Sequence, residues 1–241
     1  MNSIAGRAGS LVIGLATALV IVAVVLPLFL NPIWVAFEQG RAQASAWTGF
    51  SEPDLRAATD AILADLVIGP PEFDVAVAGE PVLNERERGH MRDVRGVFVG
   101  FFGLALVLAA GAVVIAARRR GIDRARTWRA VRNGAVALIA ALVVGGAISF
   151  VAFDALFETF HQLFFPGGSY TFDPATERLV QLFPFAFWQE TAIVVGVVSI
   201  VLAVIVAAIA DERATAVEDL TGPAPADERQ AGVAATTGPT R

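Results

Sequence analysis

The chain has 241 residues, 56% of them hydrophobic and only 17% charged, with mean hydropathy +0.64 and formal net charge −5. So little polar surface cannot cover the core of a soluble domain of this length. There is no cysteine, which excludes a disulfide staple and a thiol nucleophile, and all 18 basic residues are arginine.

Four uncharged runs of 19 to 21 residues stand out: 11–30, 97–117, 134–153 and 192–210. About 20 helical residues cross a ~30 Å hydrocarbon core, and these runs lack the alternation of barrel strands. The fold class expected is therefore an all-α membrane protein. Its four transmembrane helices fall at about 11–31, 96–117, 134–155 and 191–210, within a domain covering 1–210. A small non-cytoplasmic cap would come from the two outer loops, 32–95 and 156–190.

Pro27 should kink the first helix near its outer end. A cleaved signal peptide fits less well: the run is longer than an h-region, and the small-residue site Ala42-Gln43-Ala44 lies well past it. In the first outer loop, Glu52–Leu66 reads as an amphipathic helix capped by Ser51 and ended by Pro70-Pro71. Phe73–Val77 and Glu80–Leu83 are candidate short strands. The stretch 84–95 runs straight into the second membrane helix; if helical, it puts Glu87 and Asp93 on the face of His90. Arg86, Arg88, Arg92 and Arg95 lie just outside the membrane and suggest lipid phosphate contact or a binding site. Gly96, Gly100 and Gly103 offer a close-packing face.

The short segment 118–132 holds seven arginines against one acid, Asp123. It should be cytoplasmic, which puts both termini inside and both cap loops outside a cell membrane. The second outer loop is aromatic: ten of the 17 phenylalanines and the only tyrosine, Tyr170, lie between Phe150 and Trp188. His161 sits within Phe157-Glu158-Thr159-Phe160-His161-Gln162-Leu163-Phe164-Phe165, and turns follow at Pro166-Gly167-Gly168 and Asp173-Pro174. Two readings of the aromatics stand: an interfacial belt, or an apolar pocket for an acyl chain. The tail 211–241, rich in Ala, Thr, Pro, Gly and acids, reads as a disordered cytoplasmic tail.

A lone histidine is usually a solvated or hydrogen-bonded surface residue. Here the only two, His90 and His161, fall at the same membrane face, each with nearby acids. A joint site requires their rings to approach within about 6–8 Å. Metal-ligand spacing is absent, so no metal and no cofactor are expected, nor is a nucleic-acid partner.

The order Glu85-Arg86-Glu87, His90-Met91, Asp93-Val94 resembles the signature that precedes the second helix of the lipoprotein intramolecular transacylase family. Phe160-His161-Gln162-Leu163-Phe164-Phe165, then Phe172-Asp173-Pro174 and Leu182-Phe183-Pro184, resembles its second signature. The resemblance spans about residues 10–210. It departs at Gly167-Gly168-Ser169-Tyr170 and at Phe185, in what would be a substrate-contact region. It implies an acyltransferase that moves the sn-2 chain of a diacylglyceryl lipoprotein onto its own N-terminal cysteine amine. His90 and His161 would be catalytic, supported by Asp93, Glu87 and Glu158. A substrate pocket would take in Phe157, Phe160, Phe164, Phe165, Tyr170, Phe183, Trp188 and Arg92. Partners would be the lipoprotein and membrane lipids.

The chemistry needs a base for the amine, a stabiliser for the oxyanion, and proximity. His161, in aromatic surroundings, suits the base and His90 the oxyanion or leaving group, although the reverse assignment stands beside it. The rival from another class is a non-enzymatic tetraspan envelope scaffold, for which each histidine would be dispensable. A transporter is disfavoured because no ionisable residue lies within the four runs.

Overall fold

The computed structural model describes residues 4–221. Four long helices carry the apolar runs: α1 (Ile4–Val25), α5 (Glu85–Arg118), α6 (Ile122–Phe164) and α8 (Phe185–Thr221). Between α1 and α5 lie α2 (Pro32–Arg41), α3 (Ala44–Thr48), α4 (Glu52–Val67) and a hairpin of β1 (Ala76–Val77) with β2 (Glu80–Pro81). Helix α7 (Arg178–Leu182) precedes α8. Pro27 ends α1 in a single 3-10 turn, Leu26–Leu28, because its ring cannot donate to the helical ladder.

Helix α1 is the hub of the bundle, packing on both α5 and α6, while α6 packs along α8 and α5 scarcely touches α6. The close crossing is between α1 and α6. A Cβ on Gly134 would collide with the backbone of Gly14, so these two glycines let the helices meet. The expectation for Gly96, Gly100 and Gly103 fails, since a Cβ at any of them meets nothing within 4 Å.

Three helices run past the spans expected from hydropathy. Helix α5 begins at Glu85, twelve residues before its uncharged run, under a capping box in which Asn84 and Glu87 exchange hydrogen bonds. Helix α6 continues to Phe164 beyond a break at Ala152 (φ −144°, ψ 46°), carrying the start of the expected outer loop with it. Helix α8 continues to Thr221, so the stretch from 211 to there is helical rather than disordered; the rest of the expected tail, 222–241, lies outside the described residues. Good helix formers and cross-helix ion pairs explain this extension: Arg132 to Asp211 at 2.8 Å and Arg129 to Glu218 at 2.7 Å.

The cap has its own core. Phe73, Ile62 and Leu182 are fully buried there, and Phe183 and Phe187 join them. Ser51 caps α4 by accepting from the Asp54 amide, and the expected strands shrink to two residues each. Gln39 donates to Thr59 (3.0 Å) and to the Leu182 carbonyl (2.9 Å), tying α2, α4 and α7 together. The outer arginines mostly serve this cap. Arg95 donates to the carbonyls of Asp65 in the last turn of α4 and Gly69 just after it, Arg88 pairs with Asp74 at 2.9 Å, and Arg86 pairs with Glu177 at 2.5 Å.

Candidate active site

The site forms where the outer extensions of α5 and α6 meet under the cap. Glu87 fixes the start of α5: one carboxylate oxygen accepts the Asn84 amide at 2.7 Å, the other the Leu179 amide at 2.6 Å. One turn on, His90 points inward and is 5% exposed. His161, on the last turn of α6, is 8% exposed. Their ring centroids lie 5.9 Å apart with planes 23° from parallel, inside the separation a joint site requires.

Aromatic rings enclose the pair. Phe165 lies 4.8 Å from His90 and 5.5 Å from His161, touching both. Phe157 (4.1 Å), Tyr170 (5.0 Å) and Phe160 (5.4 Å) surround His161. Phe172 stands 5.4 Å from His90, and the Arg86 guanidinium covers it at 5.0 Å. Of these rings Phe165 also lines an open groove, which it shares with Phe164. Phe164 lies tilted against Phe160 at 4.8 Å, and both rings stay half exposed.

Hydrogen bonding differentiates the two imidazoles. His161 Nδ1 lies 2.7 Å from the Phe157 carbonyl oxygen, which can only accept. In the neutral ring that contact places the proton on Nδ1 and the lone pair on Nε2. His90 Nδ1 is buried with no hydrogen-bond partner. Burial, assisted by the neighbouring His161, pushes the His90 pKa down to about 4, against a weaker upward pull from Asp93. His90 is therefore neutral at physiological pH.

The carboxylates are placed differently from expectation. Glu87 is committed to backbone amides and positions α5 rather than the imidazole. Asp93 accepts from Ser169 at 3.1 Å, so its influence on His90 is electrostatic only. Glu158 accepts from Tyr170 and Gln162, both at 2.8 Å, which holds its pKa low and pins Tyr170 beside His161.

Two expected pocket residues lie elsewhere. Phe183 packs on Phe187 at 5.3 Å within the cap core, and Trp188 packs on Phe187 at 5.2 Å while remaining exposed. Phe153 and Phe185 instead extend the aromatic contacts outward from Phe157: they meet each other at 5.1 Å and Phe157 at 5.9 and 6.1 Å, with Phe185 exposed. Phe172, Arg86 and Glu177 also belong to the wall. Arg86, in the outer arginine cluster, and the Phe172-Asp173-Pro174 segment were signalled in the sequence; Glu177 was not. Arg92 pairs with Glu85 at 2.8 Å and lines an open groove of about 470 Å³ beside the histidines. Among the described residues, no three metal-ligating side chains converge.

A model of the family described as lipoprotein intramolecular transacylase, Lit, matches residues 10–188. In three dimensions the chain is similar to the membrane-integral lipoprotein intramolecular transacylase Lit from Bacillus cereus. The TM-score is 0.70 at 16% identity, over 87% of this chain and 96% of that one. Two further structures of that protein, each with one histidine replaced, match at TM-score 0.68 and 15% identity over 87% of this chain and 92% or 94% of theirs. At such identity the likeness establishes the fold. No curated protein matches the sequence closely.

Proposed function

The chain belongs to the lipoprotein intramolecular transacylase family, and we propose that it moves the sn-2 acyl chain of a diacylglyceryl lipoprotein to the amino group of that lipoprotein's N-terminal cysteine, with His90 and His161 as the catalytic pair. The observation that carries this reading is the 5.9 Å approach of the two imidazoles inside an aromatic wall. One reacting centre fits between groups so placed.

The roles follow from protonation. The neutral amine attacks the ester carbonyl, forming the N–C bond, and His161 Nε2 takes the proton that the nitrogen sheds. An N–H of neutral His90 stabilises the oxyanion. Collapse breaks the ester C–O bond, and His161 returns its proton to the departing glycerol oxygen. The products are an amide and an alcohol, and the proton count closes without an acyl-enzyme. Nucleophile and ester belong to one molecule, so the protein chiefly supplies proximity. The aromatic wall and cap keep water from competing with the amine.

The site would face the extracytoplasmic side, with both termini inside. The seven arginines of 118–132 lie at the opposite ends of α5 and α6 from the histidines, and two of them pair with the extension of α8. The test is mass spectrometry of lipoprotein N-termini from cells with and without the protein, and with His90→Ala or His161→Ala. The expected result is loss of the N-acylated lyso form in each variant while the protein remains folded. An unchanged acyl position on removal of the protein overturns the reading.

A further inference from the structure

The groove of about 470 Å³ is not accounted for by the histidine chemistry, yet it abuts it. Phe165 forms part of its wall and touches both imidazoles. Its rim is polar, from Arg92, Asp93 and Ser169, and its lower wall is Gly96 and Val97. Val97 begins the uncharged run of α5, so the groove crosses from headgroup depth into hydrocarbon. Below it, α5 leans on α1 and leaves α6. Gly100 and Gly103 continue the open face, with nothing within 4 Å of a Cβ at either.

Gly96 has no role in packing. Unlike Gly14 and Gly134, it faces no backbone, and a Cβ there would meet open space. Glycine inside a helix weakens it, so a glycine that serves no close contact is costly unless the space itself is used. A space with a polar rim, an apolar floor and a descent into the membrane suits an alkyl chain whose ester end stays at the rim.

We propose that this groove receives an acyl chain of the ester lipid substrate, and that Gly96 is the specificity-determining residue that admits it. The inference rests on the lipid acyl-transfer reading above and adds where the chain lies. The occupant is a chain of the substrate itself rather than of a bulk phospholipid, because the groove opens beside the reacting pair.

The experiment uses the whole protein in nanodiscs with synthetic diacylglyceryl lipopeptides carrying palmitoyl or butyryl chains. Gly96→Leu should raise KM for the palmitoyl substrate by about tenfold or more while changing the butyryl substrate far less, as expected when a few methylenes lose their pocket. Gly146→Leu, on an exposed position of α6 with open space around it, should leave both unchanged. Independently of turnover, a palmitoyl-length lipopeptide with a terminal diazirine should label the segment 96–103 in the His161→Ala protein. Unlabelled lipopeptide should compete for that site and excess phospholipid should not. Equal kinetics for wild type and Gly96→Leu at both chain lengths overturns the proposal. So does labelling that phospholipid displaces as well as lipopeptide does. If the wild-type protein yields no product from any lipopeptide, the reaction itself is in error, and the labelling result still decides whether the groove binds the chain.

Discussion

His90 and His161 face each other at 5.9 Å, yet only one of them has its proton assigned by a neighbour: His161, through the Phe157 carbonyl. Two groups acting on one reacting centre lose their value together. His90→Ala and His161→Ala should each lower turnover by roughly 10²–10⁴-fold, and the double variant should be little worse than the weaker single. Single-turnover conversion of a lipopeptide measures this. Losses that simply multiply would mean the rings act at separate steps.

Glu177 is the pivot of the wall behind His90. Its carboxylate accepts from Arg86 (2.5 Å), the Asp173 amide (2.6 Å) and Asn84 Nδ2 (3.4 Å). Burial alone would raise its pKa, but Arg86 and these hydrogen bonds outweigh it and hold the group ionised. Glu177→Ala should leave Arg86 without its partner and free Phe172. A pair with its carboxylate buried and its guanidinium half exposed is worth about 2 kcal/mol, so Tm should fall by roughly 4–8 °C. Activity should fall too, with its pH profile displaced, since Phe172 is part of what keeps His90 dry. A loss of stability with an unmoved pH profile would make Glu177 a cap residue only.

Much of this was legible in the sequence, and the misses share a cause. The four apolar runs, Ser51 as a cap and the two histidines at one face all depend on local pattern. Which glycine approaches a neighbour does not. Gly14 and Gly134 make the close crossing, while the more conspicuous Gly96, Gly100 and Gly103 face open space. Spacing within one helix says nothing about where the next helix lies. Phe183 and Phe185 differ by two residues, yet one is buried in the cap core and the other is exposed beside Phe157, for the same reason. The extension of α8 was hidden because its support, such as Arg132 to Asp211, comes from across the bundle.

The depressed pKa of His90 links stability to pH. With a folded value of about 4 against 6.5 ordinarily, the unfolded chain binds the proton more readily between those values. The stabilisation is complete above 6.5 and is lost as pH falls through 4. Thermal unfolding of the wild type should therefore weaken across that window, and His90→Phe should flatten this part of the curve. An unchanged slope in the variant would assign the acid sensitivity to other groups.

Glu38 should behave with the opposite sign. It is 2% exposed on α2, with Oε2 lacking a hydrogen-bond partner. The nearest cation, Arg41, is 3.9 Å away but bonds Glu190 of α8 at 2.5 Å. Burial first, and then the neighbouring Glu190, raise the Glu38 pKa, with Arg41 opposing. A raised folded pKa means that the protonated acid stabilises the fold; this contribution is full below the ordinary value of 4.5 and is lost as pH rises through the folded value. Glu38→Gln keeps the shape and removes the charge, so it should stabilise the protein at pH 7 to 8 and make little difference near pH 4. A gain on the order of 1 kcal/mol would raise Tm by about 2–4 °C at the higher pH. If Glu38→Gln instead lowers Tm at pH 8, Arg41 bonds Glu38 in its ionised form, and the α2–α8 contact is held by a shared ion pair rather than by a proton.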